Sequence, residues 1–379
     1  MGTNIKSFTS LRGVACLIVI MTHVWDILDL PRLLGNNLPA RTLADVIAKT
    51  FNGSAAVEVF FVLSGCVLAL SLRNGSAAPG TPWVARFWLR RFFRIYPALW
   101  FALLLTLCAL PLIRAGASSG LYSDWGVIAY PSHLTPKIIA LSLGALYVHL
   151  DWPMWTLRVE LFYSLLFPAI YVFAKHPRYR PFLIGFLILI AWAPIPRALS
   201  LHYALAFALG AIVPFSRGIE GYPYRITATG AFVLLMFARV ALAHIGMNLK
   251  DMENVEIAIS AIIIYCLYHN QSYMPILDKR TFEFIGDISY SAYIVHFPVV
   301  FAACSLLIRV LGADTIHRDP LASAAALAAL TFAVTIPLAA FSRRYVERTG
   351  ERIGKSACNA LFGRRLATAA PLPSVTEHQ

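Results

Sequence analysis

Charge is scarce in this chain. Only 13% of its 379 residues are Asp, Glu, Lys or Arg, about half the share usual in a soluble domain. Acids are scarcer than bases, 19 against 32. With 59% hydrophobic residues and a mean hydropathy of +0.67, this composition excludes a soluble globular protein and indicates a multi-span membrane protein. Cysteine is sparse too. Of the six, Cys16, Cys66, Cys108, Cys266 and Cys304 fall in apolar runs and Cys358 in a basic tail, none at CxxC or metal-ligand spacing. That excludes a disulfide framework and gives no metal site. There is no heptad pattern, long linker or basic, aromatic-interleaved soluble module, so the net charge of +13 is not the footprint of nucleic-acid binding. The first apolar run lacks a small-residue cleavage site and reads as an uncleaved span.

What is abundant is apolar sequence in lengths that cross a bilayer or nearly so. Ten runs occur, at about 10–28, 54–72, 95–114, 158–174, 182–198, 201–215, 226–245, 255–270, 288–311 and 321–341. An eleventh, KIIALSLGALYVHL at 137–150, is short for a span and suits a re-entrant or interfacial segment. With ten spans and a cytoplasmic N-terminus, the inner segments hold 21 of the 32 basic residues and the outer loops 8, as the positive-inside rule requires. An eleventh span would put KHPRYR (175–180) outside. The expectation is an all-α, polytopic bundle of about ten spans with one candidate re-entrant segment. Residues 1–348 form the membrane domain and 349–379 a basic, partly disordered cytoplasmic tail.

Ionisable groups at membrane depth are costly, so each is a functional candidate. In LRGVACLIVIMTHVW (11–25), Arg12 and His23 are eleven residues apart, which places them on one helical stripe about 16 Å apart along the axis. A lone buried His is equally satisfied by a backbone carbonyl, but this one has company. FFVLSG (60–65) follows Glu58 and contains Ser64, in a Ser-Gly pair that favours close helix approach. In RFWLRRFFRIYP (86–97), Arg86, Arg90, Arg91 and Arg94 recur at helical spacing among aromatics. They read either as a topology anchor or as a fork of guanidiniums for phosphate oxygens. MWTLRVELFYSLLFP (154–168) opens a span with Trp155, Arg158 and Glu160, and GDISYSAYIVHFP (286–298) sets Tyr293 and His296 on one face.

Taken together, these segments resemble the acyltransferase-3 family of integral-membrane acyltransferases. The resemblance runs from about Ser7 to Arg348 and rests on motifs in the family's order: Arg12-x10-His23, FFVLSG (60–65), RRFFRIYP (90–97), WTLRVELFY (155–163) and SYSAYIVHFP (289–298). It implies a cytoplasmic acyl-CoA donor, usually acetyl-CoA, and an acceptor hydroxyl on a cell-surface glycan or lipid-linked saccharide. It also implies a bacterial inner membrane, and that the Arg-x10-His pair is needed for activity. Arg158 departs from the small residue usual at its position, and either alters acceptor choice or pairs with Glu160.

On this reading Arg12 and the Arg86–Arg94 arginines hold the phosphates of CoA. His23 meets the thioester as general base or as acyl-carrying nucleophile. Glu160 orients the imidazole, and Glu58, Ser64, Trp155, Tyr293 and His296 line the substrate site. The alternative is a polysaccharide or small-molecule transporter, although no internal repeat is visible.

Overall fold

The computed structural model describes residues 5–75, 81–148, 150–270 and 279–362. Sixteen α-helices follow in chain order: α1 (Lys6–Ile27), α2 (Leu30–Leu34), α3 (Leu38–Thr50), α4 (Gly53–Gly75), α5 (Thr81–Ala117), α6 (Asp124–Ile128), α7 (Pro136–Leu143), α8 (Met154–Lys175), α9 (Arg180–Trp192), α10 (Tyr203–Ile212), α11 (Tyr224–His244), α12 (Leu249–His269), α13 (Arg280–Leu311), α14 (Ala313–Arg318), α15 (Pro320–Phe341) and α16 (Arg348–Phe362). Among the described residues there is no strand, only an isolated bridge between Leu28 and Tyr122. The ten apolar runs correspond to α1, α4, α5, α8, α9, α10, α11, α12, α13 and α15. Seven of these meet the length and apolarity of a membrane span. Two, α9 and α10, are shorter, and α12 carries Glu253 and Glu256.

Burial separates lipid-facing from inward helices. Phe182 and Leu189 of α9 are three-quarters exposed, as an apolar side chain facing hydrocarbon should be. By contrast, Ala206, Phe207 and Ala208 of the ten-residue α10 are fully buried, so its short backbone is sheltered by protein. The 37 residues of α5 extend about 55 Å, well beyond a hydrocarbon core of about 30 Å. The helix runs unbroken through Pro97, and its arginine-rich first half therefore projects past the start of the apolar run.

Close approach of α1 and α13 organises the centre. A Cβ on Gly13 would come within 2.8 Å of the Gly286 nitrogen, and one on Gly286 would strike the Thr9 carbonyl. The Cys16 thiol reaches the Ser289 carbonyl (3.4 Å), 273 residues on, and His23 reaches His296 at the same offset. The two helices are thus parallel and in register. In α4 and α10 the contacts of Gly65 with Phe207 and of Gly210 with Val62 define an antiparallel pair.

Two segments left open by the sequence take a definite form. Segment 137–150 does not cross: its helix, α7, has eight residues, capped by Thr135 and ended at Gly144. It belongs to a connection between α5 and α8 that folds over the end of α1, where Ser123 N donates to the Ile27 carbonyl (2.9 Å) and Asp29 N to the Leu121 carbonyl (3.2 Å). The start of the basic tail is helical. In α16, Gly350 lies against the Phe93 carbonyl and Pro97, and Gly354 against the Phe93 ring, so the helix is docked on α5. The expected disorder of the last dozen residues lies outside the described residues.

Replacing Gly286 with Val pushes a side chain into the Thr9 carbonyl, an overpacking cost of about 1–3 kcal/mol. The purified variant should melt several degrees below wild type in detergent. An unchanged melting temperature would show that α1 and α13 are not held at this separation.

Candidate active site

His23 lies one turn before the end of α1, half-buried. Its Nδ1 is 2.9 Å from Nε2 of His296, which is fully buried on α13. The other nitrogen of His296, Nδ1, is 2.6 Å from the Tyr293 carbonyl oxygen. A carbonyl only accepts, so His296 Nδ1 carries a proton and donates it. Neutral His296 then presents a lone pair at Nε2, and His23 Nδ1–H donates to it. The Nε2 of His23 is left with its own lone pair, the form a general base or nucleophile requires.

The walls of this site are aromatic. Trp125 of α6 stacks on the His23 ring at 5.6 Å and 10°, and Phe297 meets it edge-on at 5.3 Å. The Tyr293 ring lies 5.8 Å from that of His296, and its hydroxyl is hydrogen-bonded to Thr156 (2.9 Å).

Three turns nearer the start of α1, Arg12 donates to the Gly286 carbonyl at 3.3 Å while its Nε is buried without a partner. Arg94, Arg343, Glu347 and Asp287 are its charged neighbours. The acids there are committed to other bases: Arg343 pairs with Glu347 (2.8 Å), Glu351 (2.9 Å) and Asp287 (3.5 Å), and Arg348 with Asp287 (3.3 Å). A π-helical turn at Ser342–Glu347 gathers these groups. Arg94, half-buried, makes no hydrogen bond or ion pair among the described residues. Among the described residues Arg12 and Arg94 are therefore neighbouring guanidiniums that make no ion pair, with Glu347 as their shared acidic neighbour, an arrangement that leaves donors for an anion.

An imidazole near one end of α1 and a guanidinium, Arg12, near the other are the setting for what sequence comparison finds. A family model described as an acyltransferase domain matches residues 5–340. The chain belongs to that acyltransferase family. It is also similar to the acyltransferase MdmB of Streptomyces mycarofaciens, with 27% identity over 415 aligned positions that take in 99% of this chain and 97% of that protein. No solved structure matches it. The match decides for an integral-membrane enzyme over the transporter considered from sequence.

The acyltransferase distributes the remaining candidate residues differently from the linear reading. Glu160 does not orient His23; that partner is His296. Its carboxylate is held by Arg91 at 2.5 Å, with Ser64 Oγ at 3.5 Å, and Arg91 Nε also donates to Ser164 Oγ (3.2 Å). Arg158 is exposed and does not pair with Glu160. Of the four arginines expected to bind phosphates, Arg91 is thus neutralised, and Arg86 donates to the Phe362 carbonyl and sits over the Phe362 ring. Arg90 is exposed without a partner, and Arg94 alone joins Arg12.

Glu58 and Trp155 belong to another cluster. Trp155 packs against Phe61 and Tyr203. Glu58 is fully buried and neighbours two bridged groups. In one, Arg197 and His202 hold Glu253; in the other, Arg239 and Asn52 hold Glu256. None of these makes a hydrogen bond or ring contact with His23.

Residues that sequence reasoning missed include Trp125 and Arg343. Trp125 sits in a connection with no helical period, and Arg343 lies in a basic stretch past the last apolar run that reads only as inner-face charge. The Arg91–Glu160 bridge makes its own prediction. Arg91→Met and Glu160→Gln should each destabilise the protein, and the double variant less than their sum. A coupling energy of about 1–3 kcal/mol from thermal melts of the four proteins is expected; additive losses would show the pair to be incidental.

Proposed function

We propose that this enzyme transfers an acyl group, acetyl, from acyl-CoA at the inner membrane face to a hydroxyl of a cell-surface glycan or lipid-linked saccharide. The observation that carries this reading is the vertical arrangement on α1: an unpaired Arg12–Arg94 couple and, about 16 Å further along the helix, an imidazole whose free Nε2 is fixed by the His296–Tyr293 chain. The phosphates of CoA suit the guanidiniums, and the pantetheine arm spans the gap and delivers the thioester to His23. His23 Nε2 takes the proton of the acceptor hydroxyl as its oxygen attacks the thioester carbonyl. Collapse of the tetrahedral adduct breaks the C–S bond, and the imidazolium returns that proton to the departing thiolate. Throughout, Nδ1–H stays donated to His296, which steadies the positive charge on His23 as it forms.

Basic residues support the orientation. Lys6, Arg12, Arg86–Arg94 and Arg343–Arg352 cluster at the end of the bundle where α1 begins, which supports a cytoplasmic placing of that end in a bacterial inner membrane. The bilayer and acyl-CoA are then the partners the protein needs besides its acceptor.

Protein purified into nanodiscs should release free CoA from acetyl-CoA. His23→Ala should lower that turnover by about 10²–10⁴-fold, and near-normal turnover would remove His23 from the chemistry. Arg94→Ala should raise the KM for acetyl-CoA about ten-fold or more, the worth of a charge-assisted hydrogen bond. An unchanged KM would make Arg94 an anchor only.

A further inference from the structure

Among the described residues, Asp151 and Tyr130 carry three buried side-chain oxygens with no hydrogen-bond partner. Asp151 is fully buried, and neither of its carboxyl oxygens makes a hydrogen bond. The hydroxyl of Tyr130 is likewise buried and unbonded. Native proteins rarely leave such groups unsatisfied without a use.

Both residues belong to the connection between α5 and α8 that closes over the end of α1, the end opposite Arg12. The Tyr130 ring packs on Phe297 (5.5 Å) and Phe301 (5.0 Å), and Phe297 is the ring that meets His23 edge-on. Asp151 interacts electrostatically with Tyr130 and with Tyr293, the residue whose carbonyl fixes His296. Tyr130 is thus one ring removed from His23, and Asp151 neighbours the residue that holds His296. They are separated from the anion site by the length of α1.

We propose that Asp151 and Tyr130 form the recognition site for the acyl acceptor, and that the acceptor is a neutral polyol such as a sugar ring. This rests on the acyltransferase reading with His23 as base. A sugar hydroxyl both donates and accepts, so it satisfies a carboxyl and a phenol together. Its C–H faces suit the aromatic surfaces of Trp125 and Tyr130. Burial pushes the Asp151 carboxyl and the Tyr130 phenol well above their ordinary ranges. That disfavours a charge on either group, so the pair suits an uncharged acceptor.

The test uses the full chain in nanodiscs, labelled acetyl-CoA and methyl β-D-glucopyranoside as probe acceptor, following acetylated glucoside and free acetate. In Asp151→Leu and Tyr130→Phe, the ratio of glucoside transfer to thioester hydrolysis should fall at least ten-fold, and the KM for acetyl-CoA should stay at its wild-type value. The melting temperature should hold or rise, because a buried unsatisfied group has been removed. Three results would overturn the proposal: wild-type partition in both variants; a parallel loss of transfer, hydrolysis and melting temperature, which marks a structural role; or wild-type hydrolysis with no transfer to the glucoside. Full turnover by His23→Ala, or no acetyl-CoA consumption by wild type, would instead bring down the underlying acyltransferase mechanism.

Discussion

The parallel, in-register contact between α1 and α13 is the constraint from which the site follows. Glycines at 13 and 286 let the backbones touch, and a constant offset of 273 residues then carries Cys16 to Ser289 and His23 to His296. In hydrocarbon there is no water to correct a mismatch, so a helix pair that meets at one depth dictates the partners at every other depth. A one-residue slip would rotate His23 about 100° from its partner. The tautomer of the catalytic candidate is thus fixed by packing nearly three turns away.

Charge placement obeys a second constraint. Removing ions from water is repaid only where they are paired well, and most acids inside this bundle are paired: Glu160 with Arg91, Glu253 with Arg197 and His202, Glu256 with Arg239. These bridges tie α5 to α8, the turn before α10 to α12, and α11 to α12. Against that background an unpaired group carries information. Among the described residues Arg12 and Arg94 make no ion pair, and Asp151 and Tyr130 lack any side-chain hydrogen-bond partner.

Much of this architecture is legible in the linear sequence, and for a definable reason. Hydrocarbon thickness sets helix length, so the ten apolar runs appear as helices near their expected places. The Arg12–His23 stripe depends only on helical repeat, and it too can be read directly. Pairing cannot. Glu160 and His296 are both polar groups in apolar helices, and nothing local reveals that Glu160 turns to Arg91, 69 residues away, while His296 turns to His23. Arg91 and Arg94 share a spacing pattern but face different neighbours, so a stripe of arginines that looks like one site divides into a bridge to Glu160 and a guanidinium beside Arg12. Asp151 and Tyr130 fall in a connection without periodicity, where no alternation marks a buried face. The composition of α16 suggests a solvated tail because its polar residues dominate; its glycines, which seat it on Phe93, become meaningful only once α5 is in view.

On the proposed mechanism, the two unpaired groups also account for the placement of His23 on α1. An acyl donor with a polyanionic head and an uncharged acceptor cannot use one entrance well, because cations that hold phosphates gain little from a hydroxyl, and a buried neutral carboxyl gains nothing from a phosphate. Separate entrances remove that conflict but require the reacting atoms to meet inside. A single straight helix that begins at one entrance and ends at the other is the simplest device that holds both distances at once. α1 does this with Arg12 toward the basic rim and His23 one turn from its far end, its axial position held by α13. Placing the base on any connecting segment would let the meeting point drift by the ångström or so that costs orders of magnitude in rate. The aromatic wall of Trp125 and Phe297 completes the arrangement by leaving His23 Nε2 as the exposed polar atom of an otherwise apolar junction.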